Sequence, residues 1–313
     1  MNTPLRVADV LTPDALRMLA SIAESGSMAA AARTLGLVPS ALSYRVRQLE
    51  QALDVLLFDR SSRQARLTEA GHELLREGQR LLIEIDAVAH RVRRVATGWE
   101  PQLTLACDSL ISRTTVLELC DAFYALKPPT RLKLREETLS GTLASLSSGR
   151  ADLAIGVVNE TSAHPGIRAK PLGQLDFVFA LAPHHQLAAA AEPLSDALIG
   201  QHRAVAVADS VLSGDGLTLG LLGGQDVLTV PNMAAKLQAQ LCGLGVGFLP
   251  RYMAQPHIDA GALLVRAVQR SGRIARCSYA WRHEASASTG RALRWWLEQL
   301  ERPATRRALL SRP

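Results

Sequence analysis

The chain has 313 residues, of which 48% are hydrophobic, and its formal net charge at pH 7 is +6. This length favours a small domain followed by a larger one, and the hydrophobic content is sufficient for two cores. Residues 1–98 hold 13 arginines against 11 acidic residues, so the global charge alone does not establish nucleic-acid binding.

Charge placement and cysteine spacing argue against several classes of protein. Arg6, Asp9 and Asp14 interrupt the start of the chain, so we expect no signal peptide, no membrane span and a cytoplasmic protein. The cysteines show no metal-ligand spacing, which predicts reduced thiols and neither a metal site nor a cofactor. They are Cys107, Cys120, Cys242 and Cys277.

Three helices are predicted at the start of the chain. Thr12-Pro13-Asp14 is a helix start with proline at the first position and an acid in the first turn. Ser27 is a candidate N-cap for an alanine-rich helix from Met28 to Leu35, and Gly36 is placed to end it. A third helix follows from Pro39, so the pattern is a helix-turn-helix.

The third helix has two chemically different faces. Leu42, Val46, Leu49 and Leu53 recur at steps of four, three and four and predict a buried stripe. The other face carries hydrogen-bonding groups, an aromatic ring and cations, which suit base edges and phosphates in a major groove. The predicted DNA-contacting residues are Ser27, which precedes the second helix, and Pro39, Ser40, Ser43, Tyr44, Arg45, Arg47 and Gln48 of the third.

A basic loop follows the third helix. Residues 55–60 and 67–71 read as two short extended runs, which predict a β-wing lying beside the duplex. Arg60, Arg63 and Arg66 lie in or next to that loop and are expected to contact phosphate or the minor groove. We therefore assign residues 1–68 to a winged helix-turn-helix domain.

The order and spacing of residues in this segment resemble those of the DNA-binding domain of LysR-type transcriptional regulators. The resemblance rests on Ser27, the alanine-rich helix, Leu35-Gly36, Ser40-Ala41-Leu42-Ser43, Leu49-Glu50, Leu53, Leu57-Phe58-x-Arg60 and Leu67-Thr68-x-Ala70-Gly71. The chain departs from the family pattern at Val38-Pro39, where many members have Ser or Thr followed by Gln, and at Tyr44, where Arg or Gln is more usual. The resemblance implies a regulator that binds a pseudo-palindromic promoter site in double-stranded DNA.

A long helix is predicted over residues 69–98. Its apolar residues alternate at steps of three and four, which is typical of a two-helix seam. They are Leu74, Leu81, Ile85, Val88, Val92 and Val95. We interpret this segment as a linker and dimerisation helix, with packing onto its own domain as the alternative. The family resemblance favours a tetramer, and RNA polymerase is a further candidate partner.

Strands and helices alternate from Pro101 onward, which predicts a mostly parallel sheet with helices on both faces. We assign residues 99–302 to a two-lobed α/β domain, with lobe I at about 99–172 and 275–302 and lobe II at about 173–274. Residues 154–157, 183–188 and 243–250 resemble the periplasmic-binding-protein-like effector domain of the same family. Residues 303–313 are expected to form a mobile basic tail.

Loops that follow the predicted strands are candidates for an effector site, because ligands bind at the carboxyl ends of strands in open α/β sheets. The candidates are Asp108, Ser109, Leu110, Glu137, Thr138, Asp209, Ser210, Pro231, Asn232, Met233 and Phe248. The acids Asp108 and Glu137 favour a neutral, aromatic or hydroxylated effector. The alternative is that Asp108 caps a helix and that Glu137 is solvated.

Other features have simple structural interpretations. Adjacent His184 and His185 cannot share one strand or helix face, so a structural loop is expected. Cys107 is interpreted as a packing residue, with a redox sensor as the alternative. An effector-independent DNA-binding protein and a small-molecule-binding protein or enzyme remain alternatives, although no catalytic residues are identified.

Overall fold

The computed structural model describes residues 6–59, 65–158, 166–211, 221–270, 274–283 and 289–311. The chain divides into two compact units, Met1–Ala89 and His90–Pro313. Among the described residues, no helix is long and apolar enough to cross a membrane.

The first unit is helical. Its helices are α1 (Val7–Val10), α2 (Pro13–Ser25), α3 (Met28–Thr34) and α4 (Pro39–Leu53). The hydroxyl of Thr12 accepts a hydrogen bond from the Ala15 amide and begins α2, as predicted. Leu42, Val46 and Leu49 of α4 are buried, so the predicted apolar stripe forms part of the core of this unit.

The described part of the predicted wing is a single bridge, and residues 69–71, which were predicted as extended, belong instead to the helix that begins at Glu69. Phe58 and Leu67 form an antiparallel bridge, and the Asp59 amide donates to the Arg66 carbonyl at 2.8 Å. Residues 60–64 lie outside the described residues, so the predicted contacts of Arg60 and Arg63 stay predictions.

A single helix, α5 (Glu69–Thr97), follows the wing. Its bounds agree with the predicted linker helix to within one residue. Its apolar stripe is solvent-exposed over several turns. The exposed fractions are 49% for Leu81, 44% for Ile85, 47% for Val88, 65% for Val92 and 86% for Val95.

The second unit is built from strands and helices in alternation. Its strands are β1 (Gln102–Asp108), β2 (Arg131–Glu137), β3 (Leu153–Val157), β4 (Ile167–Leu181), β5 (Ala204–Val207), β6 (Val227–Val230), β7 (Gly247–Pro250), β8 (Leu264–Val265) and β9 (Ile274–Arg282). Its helices are α6 (Arg113–Tyr124), α7 (Gly141–Ser147), α8 (Asp196–Ile199), α9 (Met233–Leu241), α10 (Arg251–Asp259), α11 (Arg291–Glu301) and α12 (Pro303–Ser311), with a 3-10 turn at Gln186–Ala189.

The main sheet has the strand order β2-β1-β3-β9-β4-β7, and β8 also pairs with β4. Strand β1 runs parallel to β2 and β3, but β9 is antiparallel to both β3 and β4. The prediction of a mostly parallel sheet was therefore wrong for the centre of this sheet. The reason is that β4 and β9 carry the chain between the lobes in opposite directions.

The two lobe boundaries predicted near residues 172 and 275 therefore lie on one paired ribbon. Its register runs from Ile167 opposite Arg282 to Asp176 opposite Ile274, with an irregularity between Pro171 and Gly173. The second half of β4 pairs with β7 and β8, while the parallel pair β5-β6 meets β7 through an Ala204–Val246 bridge.

The C-terminal segment differs from its prediction. Residues 303–311 form α12 instead of a mobile tail, and Leu309 is fully buried. The Leu309 carbonyl accepts the Ser112 amide at 2.9 Å, and the Ala308 carbonyl accepts the Thr115 hydroxyl at 3.2 Å. The arginines suggested a solvated tail, but the apolar side chain of Leu309 anchors the helix to lobe I.

Leu309→Ala should lower the free energy of unfolding of the second unit by about 2–5 kcal/mol, because it deletes a fully buried side chain. Urea unfolding followed by tryptophan fluorescence measures this, since all four tryptophans lie in that unit. Arg307→Ala, at an exposed position of the same helix, is the control. Equal stability of the two variants would mean that α12 is not docked.

Candidate functional site

Helix α4 presents a polar face opposite its buried stripe. Gln48 Nε2 donates to Tyr44 Oη at 3.1 Å, so these two side chains form one unit on the surface. The predicted contact residues that belong to α4 all lie outside its buried stripe. Pro39, Ser40, Tyr44, Arg45 and Arg47 are exposed, and Ser43 and Gln48 are half-buried.

The start of α4 lacks a side-chain cap. Val38 occupies the N-cap position without a side-chain hydrogen bond and is 63% exposed, and Pro39 follows at the first helical position. Proline has no amide hydrogen to leave unsatisfied there and fixes a helical φ. The hydroxyl of Ser27, a predicted DNA contact, accepts the Ala30 amide at 3.4 Å, so it already serves as the N-cap of α3.

A buried carboxylate joins α4 to the wing. Glu50 is 9% exposed, and its Oε1 accepts the amides of Leu57 at 2.9 Å and Phe58 at 3.4 Å. Because carboxylate hydrogen bonds to backbone amides are strong and directional, this contact fixes where the wing leaves the helix. Arg66 is exposed on the returning side of the wing.

A cleft in the second unit gathers part of the predicted effector site. The cleft has a volume of about 60 Å³. Six predicted residues line it, namely Asp108, Ser109, Leu110, Thr138, Met233 and Phe248. Leu139, in the predicted loop after β2, also lines the cleft, and sequence reasoning missed the remaining lining residues, Val158, Phe177, Val207, Lys236 and Ala275. Lys236 lies three residues after Met233 on α9, so helical periodicity could have placed it on the same face.

Hydrogen bonds from several predicted residues and one neighbour, Ser140, join the two lobes. Thr138 Oγ1 donates to the Ala208 carbonyl at 2.6 Å, and Ser140 Oγ donates to Asp209 Oδ2 at 2.6 Å. Ser210 Oγ donates to Glu137 Oε2 at 2.8 Å. Gly141 allows this approach, because a β-carbon there would collide with Ser210 Oγ. The loop after β5 is therefore tied to the loop after β2.

The side chains of two predicted residues, Asn232 and Glu137, already form hydrogen bonds within the protein. Asn232 Oδ1 accepts the Ala235 amide at 2.9 Å as the N-cap of α9, and its Nδ2 donates to Glu136 Oε1 at 2.6 Å. Glu137 is 5% exposed and accepts hydrogen bonds from Ser145 and Arg135 as well as from Ser210. Pro231, Asn232, Glu137, Asp209 and Ser210 are not among the residues that line the cleft.

Asp108 is a buried carboxyl at the end of β1. Its Oδ1 accepts the Leu110 amide at 2.8 Å and its Oδ2 accepts the Leu139 amide at 3.0 Å. Burial raises the pKa of Asp108 to about 7, although these amide hydrogen bonds act in the opposite direction. The alternative interpretation of these two acids was wrong, because Ser112 and not Asp108 caps α6, and Glu137 is buried.

Cys107 precedes Asp108 on β1. Burial raises the pKa of its thiol to about 12, which disfavours the thiolate required for redox chemistry. The raised pKa agrees with the interpretation of Cys107 as a packing residue.

The two units match two known protein domains. The description "Bacterial regulatory helix-turn-helix protein, lysR family" matches residues 13–72, and "LysR substrate binding domain" matches residues 96–304. The chain belongs to the LysR family of bacterial transcriptional regulators. It is accordingly a DNA-binding regulator with an effector-binding domain.

Individual relatives are similar over nearly the whole chain. The HTH-type transcriptional regulator YhaJ of Escherichia coli O157:H7 is 37% identical over 290 residues, which is 93% of this chain and 96% of YhaJ. YeeY of Escherichia coli K12 is 35% identical over 287 residues, which is 92% of each chain. The structure of full-length LysG from Corynebacterium glutamicum with its bound effector Arg is 25% identical, with a TM-score of 0.50 over 96% of this chain and 100% of LysG.

Asp108→Asn should flatten the pH dependence of stability of the second unit. With a pKa raised from 3.8 to about 7, the folded state binds more protons than the unfolded state between about pH 4 and pH 7, so stability falls as pH rises through that window. One pKa unit corresponds to about 1.4 kcal/mol, so the fall should be a few kcal/mol.

Urea unfolding at pH 5 and pH 8 measures how far the free energy of unfolding falls as the pH rises. The variant Asp121→Asn, at an exposed position, is the control. The stability of Asp108→Asn should change less between these two pH values, because its side-chain amide does not titrate. If the stability of Asp108→Asn changed with pH as much as that of the wild type, the Asp108 carboxyl would not be the source of the pH dependence.

Proposed function

We propose that this regulator binds a pseudo-palindromic promoter site as a dimer or a tetramer, and that a small effector between its lobes controls transcription. Helix α4 would read the major groove, and the wing residues Arg60, Arg63 and Arg66 would contact phosphate or the minor groove. The observation that carries the DNA-binding part is the exposed polar face of α4, which lies opposite the buried Leu42, Val46 and Leu49.

The chemistry of that face supports base and phosphate contacts. Arg47 offers a guanidinium that can bind guanine or phosphate in a bidentate manner. Ser43 and the Tyr44–Gln48 pair offer shorter hydroxyl and amide groups for neighbouring base edges. Arg45 is exposed beside them and adds a phosphate-binding cation.

The exposed stripe of α5 supports self-association. Five large apolar side chains between Leu81 and Val95 are each at least 44% exposed, and apolar patches of this kind on one helix face mark interaction surfaces. Their spacing at steps of three and four suits a helix of a second copy. A symmetric dimer would place two α4 helices on the half-sites of a dyad.

The cleft supports effector control. LysG, which shares this fold, has been solved with its effector Arg bound. In this chain the cleft lies beside the β4-β9 ribbon and beneath hydrogen bonds that join the lobes. A ligand with different affinities for two lobe arrangements would shift the balance between them, and with it the geometry of the DNA-bound oligomer.

Two alternatives have less support. An effector-independent, architectural DNA-binding protein is favoured only by the departures at Val38-Pro39 and Tyr44. An enzyme or a separate small-molecule-binding protein is disfavoured because the matched domains assign most of the chain to DNA binding and effector binding. We place the protein in the cytoplasm, with promoter DNA and RNA polymerase as its macromolecular partners.

Arg47→Ala and Ser43→Ala should each weaken binding to a duplex that the wild-type protein selects from a random library, because each removes a group from the recognition face. The expected loss per base contact is about 1–3 kcal/mol at physiological salt. Fluorescence anisotropy measures the affinity, and circular dichroism checks that the helices remain folded. Arg131→Ala, at an exposed position of β2, is the matched control, and wild-type affinity in both test variants would exclude this face.

Val88→Asp should dissociate the oligomer, because it places a charge within the apolar stripe of α5. Sedimentation equilibrium would then give a lower mass for this variant than for the wild type. Asp86→Ala, at an exposed neighbouring position outside the stripe, should keep the wild-type mass. If Val88→Asp also kept it, another surface would be responsible for self-association.

A further inference from the structure

A second concave surface of the second unit lies outside the candidate effector cleft. It is formed by residues 174–176 of β4, by residues of α10 that include Arg251 and Tyr252, and by Leu310 and Ser311 of α12, and we call it the hinge groove. Its volume is about 480 Å³, compared with about 60 Å³ for the cleft. Small-molecule sites have volumes of about 300–1,000 Å³, so the hinge groove already has the size of a ligand site.

Both lobes contribute walls to the hinge groove. Helix α10 belongs to lobe II, whereas α12 is anchored to lobe I through Leu309. The floor is a segment of β4 that pairs with β9. A β-carbon added at Gly173 would lie 2.5 Å from Leu310 Cδ1, so the glycine lets α12 pack against the β4-β9 ribbon beside its irregularity. A molecule in the groove therefore contacts both lobes where the ribbon is least regular.

The hinge groove carries two opposite charges that do not neutralise each other. Arg251 and Asp176 both line it, and both are exposed. Neither side chain forms a hydrogen bond or an ion pair with another residue in the described part of the chain. Asp259 also lines the groove, but its carboxylate accepts the Gln255 side-chain amide at 2.8 Å. Arg251 and Asp176 are therefore available to a ligand that carries both a carboxylate and an ammonium group.

Apolar surface lies beside these charges. Leu175 is 3% exposed, and Tyr252 and Leu310 are half-buried. All three line the hinge groove, together with Pro256. An aliphatic or aromatic group that packs here removes apolar area from water on both partners. The lining thus combines a cation, a carboxylate and an apolar patch, which together complement an amino acid with an apolar side chain.

We propose that the hinge groove is a second ligand site, which binds an apolar amino acid or short peptide in its zwitterionic form. The ligand carboxylate pairs with the Arg251 guanidinium, and the ligand ammonium pairs with the Asp176 carboxylate. The ligand side chain packs on Leu175 and Leu310. Binding here does not require an effector in the cleft, so this site is additional to the proposed function.

Occupation of the hinge groove bears on the shape of the candidate effector cleft. Asp176 is followed on β4 by Phe177, which lines the cleft. Tyr252 Oη donates to the Leu110 carbonyl at 2.8 Å, and Leu110 also lines the cleft. A ligand that holds α10 and α12 together restricts bending of the ribbon between them, and it favours the lobe orientation that it binds best.

The test uses the full-length protein and matched probes. Leucine, phenylalanine and leucyl-leucine are titrated by calorimetry against their N-acetyl and C-terminal amide forms, which lack the ammonium and the carboxylate charge respectively. At least one zwitterion should bind at least tenfold more tightly than both of its blocked forms, because each blocked form loses one charge-assisted contact.

Two conservative variants assign the two charges to their residues. In Arg251→Gln the zwitterion should bind no more tightly than its amide, and in Asp176→Asn it should bind no more tightly than its N-acetyl form. Both positions are exposed, so the substitutions leave the fold intact. Arg131→Gln and Asp121→Asn, at exposed positions outside the groove, are the matched controls and should keep the wild-type preference.

Hydrogen exchange locates the bound probe. Saturation with the zwitterion should slow amide exchange in both α10 and α12, because the groove lies between these helices. The proposal is overturned if no probe binds, or if the blocked forms bind as tightly as the zwitterions. It is also overturned if Arg251→Gln and Asp176→Asn keep the wild-type preference, or if exchange is unchanged in either helix.

Discussion

The antiparallel pairing of β4 with β9 is the constraint on which the effector domain depends. These strands are the only described segments that run continuously from one lobe to the other, and they pair from Ile167–Arg282 to Asp176–Ile274. Because both crossings belong to one ladder, the lobes can change orientation only by bending or twisting it. The irregularity between Pro171 and Gly173 is the point in this ladder where regular pairing is already interrupted.

The side chains beside this ladder join the two lobes and fix the loops between them. The loops after β1, β2 and β5 meet beside it, where Thr138 and Ser210 join the lobes and Asp108 fixes two loop amides. The cleft lies within this set of contacts, so a ligand that enters it touches both lobes. A change in lobe orientation is thereby linked to occupation of the cleft, which is the physical basis for effector control.

Much of this organisation could be predicted from the sequence, because it depends on local patterns. The stripe of α4, the cap at Ser27 and the bounds of α5 follow from helical spacing and capping. Long-range packing was not predictable in the same way. The burial of Leu309 depends on a surface of lobe I, and the role of Ser210 depends on a contact with Glu137, 73 residues away in the sequence. Lys236 was missed because the site was sought at strand ends and not along the following helix.

The most direct test of the central claim is to mix the purified protein with sheared DNA of its own genome at physiological salt, recover the bound fragments and sequence them. Specific recognition by paired α4 helices predicts a few sharp peaks centred on dyad-symmetric sites. Diffuse recovery that disappears with modest added salt would indicate binding through phosphates alone, and it would contradict sequence-specific regulation by this protein.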